Sequence, residues 1–104
     1  MLELSAPQIE EIRAILAREV PGLEALAFGS RVQGGAKPHS DLDLALRGSE
    51  ALPIARFGRI VEAFQESKLP FRVDLTDWNR CSPHFQKLIA AECVKINPHE
   101  QRRA

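Results

Sequence analysis

Gly29-Ser30-Arg31-Val32-Gln33-Gly34-Gly35-Ala36-Lys37-Pro38-His39-Ser40-Asp41-Leu42-Asp43-Leu44 is the stretch on which the reading of this chain turns. A Gly-Ser bend that opens a short helix lets backbone come close to a ligand, presents N–H groups and adds a hydroxyl donor, all suited to phosphate oxygens. From Asp41 the letters alternate, with Leu42, Leu44 and Leu46 on one face and Asp41, Asp43 and Ala45 on the other. That is the pattern of a strand with one dry face. Both carboxylates project from the wet face, about 6–7 Å apart along the backbone. Two like charges at that spacing repel each other, so a cation is the simplest compensation. Oxygen ligands next to phosphates point to Mg2+.

Working outward, Pro70 opens a second alternating run in which Phe71, Val73 and Leu75 point one way and Arg72, Asp74 and Thr76 the other. If the two runs pair, Asp74 joins Asp41 and Asp43. Three carboxylates beside a phosphate-binding bend suit a two-metal phosphoryl or nucleotidyl transfer site. Asp77 competes for the third-acid role, but the alternation favours Asp74, with Asp77 falling past the strand.

The remaining segments supply layers around these strands. Ser5-Ala6-Pro7-Gln8 reads as a capping box, and Ile9, Ile12, Leu16 and Val20 follow at helical spacing to about Glu19. Pro21-Gly22 ends that helix, and Leu23 to Phe28 is a short apolar run suited to a buried strand. Leu52, Phe57, Ile60, Val61 and Phe64 predict a second helix to about Lys68, packed on the dry face. Ser82-Pro83 predicts a helix start, with Phe85, Leu88, Ile89 and Cys93 as its stripe, and residues 94–96 predict a short edge strand. The order implies an α/β protein of the α+β kind: a small mixed β-sheet with helices mainly on one face and the other face partly open.

The chain has 104 residues, so one core is expected: a single domain over 1–97, with the polar tail 98–104 fraying. At this length roughly 60–70% of the unfolded surface is buried, which leaves little room for elaborate pockets. Fourteen basic and fourteen acidic residues cancel, which argues against direct nucleic-acid binding or a membrane surface. The N-terminus lacks a long apolar run, and Cys81 and Cys93 have no disulfide-rich spacing, so a cytoplasmic protein is expected.

Each feature also has an ordinary explanation. A Gly-Ser dipeptide is commonly a turn plus helix cap, and two acids are commonly an exposed strand edge. Their conjunction with Asp74 is what tips the reading toward chemistry. Arg31 is preferred over Lys37 as a phosphate-neutralising cation. His39 and His84 lack a metal-ligand partner, Trp78 suits a small core better than a base platform, and the cysteines suit small buried positions.

The run Gly29 to Leu44 resembles the signature of minimal nucleotidyltransferase (MNT) proteins in the DNA polymerase beta superfamily, without a gap in spacing. Val73-Asp74-Leu75-Thr76-Asp77 through Ile89-Ala90-Ala91-Glu92 is similar to that family's third-acid strand and closing helix. Val32 and Gln33 depart from its usual letters, a small residue and an Arg. The resemblance implies a polymerase-beta-palm-like fold. It assigns Gly29 and Ser30 to the nucleotide triphosphate, and Asp41, Asp43 and Asp74 to Mg2+, with Asp74 helping to activate the acceptor hydroxyl. The expected nucleotide-contacting set is Gly29, Ser30, Arg31 and Ser40.

The reaction expected is transfer of AMP from ATP to a hydroxyl, with pyrophosphate leaving. The resemblance implies an antitoxin that adenylylates a tyrosine of a HEPN-type ribonuclease toxin. The chain contains no Tyr, so the acceptor is not its own. The alternatives are an antitoxin that masks its toxin by binding alone and a nucleotidyltransferase for a small molecule. Template-directed polymerisation is disfavoured by the neutral charge.

Overall fold

A computed structural model describes residues 2–97 of the chain. The expected fraying of 98–104 lies outside the described residues. Helix α1 spans Ala6–Glu19 and starts at the anticipated capping box: Ser5 Oγ accepts from Gln8 N–H, and the Gln8 side chain accepts from Ser5 N–H. Strand β1 (Glu24–Phe28) leads through Gly29 into a four-residue helix, α2 (Ser30–Gln33). Then follow β2 (Leu42–Arg47), α3 (Ile54–Gln65), β3 (Val73–Asp77), a 3-10 turn (Trp78–Arg80), α4 (Pro83–Ala91) and β4 (Val94–Asn97).

The sheet order is β3-β2-β1-β4, so β4 is an edge strand as expected. β1 pairs antiparallel with both β2 and β4, while β2 and β3 run parallel. The intervening α3 is the crossover that parallel neighbours require. One end of the sheet thereby collects the end of β1 and the beginnings of β2 and β3, which are the parts of the chain that carry Gly29, Asp41, Asp43 and Asp74.

On one face Ala25, Ala27, Leu42, Leu44 and Leu46 are buried beneath α1 (Ile12, Ile15, Leu16) and α3 (Ile60, Phe64). The dry face of β2 is therefore packed as its alternation demands. The other face is not left bare where α4 crosses it, because Ile89 covers Leu26 and Ala45, with Phe28, Trp78, Cys81 and Cys93 packed around them. The α4 stripe is narrower than its spacing predicts: Ile89 is buried, whereas Phe85 and Leu88 stand 39% and 57% exposed. Boundaries also shift. β2 begins at Leu42, β3 begins at Val73 and includes Asp77, and α3 ends at Gln65. Among the described residues no helix is long and apolar enough to cross a membrane.

Candidate active site

The register across the sheet decides how the acids meet. Asp43 pairs with Asp74 on β3 and with Phe28 on β1, so Asp74, Asp43 and Phe28 form one row across the polar face. The next row, Thr76, Ala45, Leu26, is where the Ile89 cluster begins. Asp41 precedes β2 by one residue and keeps the parity of Asp43. The three sequence-selected acids therefore lie at one end of one face, with Asp74 the most exposed.

Gly29 closes the site from the β1 side. Its φ of 84° is the left-handed conformation that favours glycine, and it accepts from Val32 and Gln33 N–H groups to start α2. A Cβ built on Gly29 would collide with Asp43 Oδ2 and lie 3.1 Å from its Cγ. Bend and carboxylate are thus in direct contact, and Ser30 follows at the exposed start of α2. Phe28, the cross-strand neighbour of Asp43, meets the Phe85 ring edge-on at 6.2 Å.

The electrostatics match the crowding. Asp43 is pushed up from the ordinary carboxylate value, first by burial, then by the charges of Asp74 and Asp41, against an opposing pull from Arg72. Asp41 Oδ2 accepts from Arg72 Nη2 at 2.8 Å and Nε at 3.3 Å. Among the described residues no three His, Cys, Asp or Glu side chains are drawn together as a metal-holding group as they stand. The donor chemistry nevertheless suits a hard divalent cation: carboxylate oxygens share one surface, and their charge weighs on Asp43.

Two of the expected nucleotide-contacting residues, Arg31 and Ser40, are engaged within the loop before Asp41. The Arg31 guanidinium, in a residue only 6% exposed, donates to the carbonyls of Glu3, Lys37, Pro38 and Ser40 and lies 4.1 Å over the Phe71 ring. It clamps the loop that delivers Asp41. Ser40 belongs to the same loop closure, its Oγ accepting from Lys37 N–H at 2.9 Å. Asp77, the rival third acid, is buried and structural: Oδ2 accepts from Leu52 N–H at 2.8 Å and Oδ1 from Asn79 N–H at 3.1 Å.

Glu3 and Arg72 were not singled out by the sequence. Glu3 joins the N-terminal segment to the loop, its backbone pairing with Arg31 and its carboxylate accepting from Ala36 N–H. For Arg72 the signal was present, since it shares the parity of Asp74.

Comparison with known proteins bears on the family and the fold. The family model described as polymerase beta, nucleotidyltransferase, matches residues 10–100. The probable protein adenylyltransferase MntA of Haemophilus influenzae is 42% identical over 100 residues, covering 96% of this chain and 88% of that protein. A crystal structure of a toxin-antitoxin with AMP-PNP superposes with a TM-score of 0.71 at 22% identity, over 85% of this chain and 71% of that one. A mutant MntA-HpeT toxin-antitoxin structure gives 0.68 at 24% identity, over 83% and 68%. At these identities the two structures speak to the fold.

Proposed function

The chain belongs to the polymerase beta nucleotidyltransferase family, and from that premise we propose that it transfers AMP from ATP to a tyrosine hydroxyl of a HEPN-type toxin, acting as the antitoxin. The observation that carries this reading is the contact of Asp43 with Gly29 on one side and its pairing with Asp74 on the other. It puts a phosphate-sized bend against a set of carboxylates. The names of the MntA relative and of the toxin-antitoxin structures support the class of reaction and partner.

In this reading Gly29 and Ser30 hold the triphosphate through backbone N–H groups and the Ser30 hydroxyl. Asp41, Asp43 and Asp74 hold Mg2+, which when bound polarises the α-phosphate and neutralises charge on the departing pyrophosphate. Asp74 takes the proton of the acceptor hydroxyl as its oxygen bonds to the α-phosphorus and the bond to pyrophosphate breaks. Arg31 and Ser40 keep the loop before Asp41 in place. The acceptor comes from another molecule because this chain has no Tyr. We place the reaction in the cytoplasm, a reading supported by two free cysteines.

The test is incubation with ATP, Mg2+ and the purified partner, followed by intact mass. A gain of one or more AMP units on the partner, lost with Asp43→Asn or Asp74→Asn, is expected. Stable complex formation with unmodified partner would instead identify an antitoxin that acts by binding alone.

A further inference from the structure

Arg72 stands among the three acids and is the cation that opposes their repulsion. It lies two residues before Asp74, as Asp41 lies two before Asp43, and its carbonyl accepts from Leu42 N–H at 2.9 Å. The β3 segment thereby enters the sheet with Arg72 beside Asp41. Both its Nη2 and its Nε address Asp41 Oδ2, while among the described residues neither Asp43 nor Asp74 makes an ion pair.

We infer that Arg72 is the resident counter-cation of the acid site, holding Asp41 until a divalent cation displaces it. The inference rests on the proposed metal site and adds the residue that competes for it. Exposure is central to the argument: the Arg72 side chain is 72% exposed and that of Asp41 39%. An exposed pair of this kind is weak and opens readily, whereas a buried pair would be costly to break. A divalent cation brings a higher charge and binds several oxygens together, which a guanidinium on one carboxylate oxygen does not match. The arginine therefore offsets part of the carboxylate charge without locking the site, and its flexible stem lets it leave when the cation arrives.

The experiment measures Mn2+ binding without nucleotide, by electron paramagnetic resonance, on wild type, Arg72→Gln and Arg72→Lys, with folding confirmed by circular dichroism. Removing a competing exposed partner should tighten Mn2+ binding by about two- to fivefold in Arg72→Gln, and Arg72→Lys, which keeps the charge, should return toward wild type. The rise in melting temperature produced by saturating Mn2+ should also be larger in Arg72→Gln. Equal affinities in all three proteins, or weaker binding in Arg72→Gln, would overturn the role of Arg72 while leaving the metal site standing. Folded wild type and Arg72→Gln that both fail to bind Mn2+ would instead remove the metal site, and this inference with it.

Discussion

The Asp43 carboxylate rests against the α-carbon of Gly29, so the residue that turns the chain from β1 into α2 also sets the position of the central acid. Gly29→Ala adds a methyl group to that contact and places it on a backbone with φ of 84°. A left-handed conformation imposed on a residue with a Cβ costs of order 1–3 kcal/mol. Thermal unfolding should show the loss, and metal binding by the folded fraction should weaken because Asp43 has to move.

The raised pKa of Asp43 implies that the site is maintained at the expense of stability. With the folded value above the unfolded one, the native state binds more protons across the interval between them. Stability therefore falls as pH rises through that interval, with no penalty below it and the full penalty above. In EDTA, Asp43→Asn should melt higher than wild type near neutral pH, and the gap should close in acid. Solvent screening at this partly exposed group keeps the gain small. A melting temperature for Asp43→Asn at or below that of wild type at pH 7 would contradict a strained Asp43 carboxylate.

Asp74 and Asp77 should separate cleanly in a paired experiment. Asp77 holds the Leu52 and Asn79 N–H groups from a buried position, so Asp77→Ala leaves them without partners and should cost about 1–3 kcal/mol. Its AMP transfer per folded molecule should survive. Asp74→Asn is exposed and should leave the melting temperature nearly unchanged while abolishing transfer.

Arg31 should behave as a clamp. Arg31→Met removes the donor for four carbonyls, and hydrogen bonds from a charged group contribute about 1.5–3 kcal/mol. Arg31→Lys should recover only part of this loss, because an ammonium cannot span those carbonyls as the planar fork does. Amide hydrogen exchange should rise across residues 34–41 in both variants. Faster exchange elsewhere with no change in that loop would argue against the clamp.

What the sequence made legible follows from periodicity. The parity of Asp41, Asp43 and Asp74 placed them on one face, and α3 between β2 and β3 is the crossover that lets those strands run parallel with Asp43 opposite Asp74. The same reasoning could not see where a long side chain goes. Arg31 follows a Gly-Ser bend and looks like a phosphate ligand, yet its destination depends on carbonyls from residues 3 and 37–40 that only the folded loop brings together. Leu88 fits the α4 spacing but remains exposed, and Phe85 is only partly covered, meeting Phe28 edge-on while Ile89 alone is buried.

The antiparallel β1–β2 pair and the parallel β2–β3 pair leave the chemistry at one rim of the sheet, with the Gly48–Pro53 connection at the opposite rim. Roughly 16–17 Å of extended chain separates Asp43 from Gly48. Ser49 and Glu50 are exposed there, which makes that bend a natural splice point: a fluorescent reporter grafted between them would ride on the molecule without shadowing the rim that carries Gly29, Asp43 and Asp74.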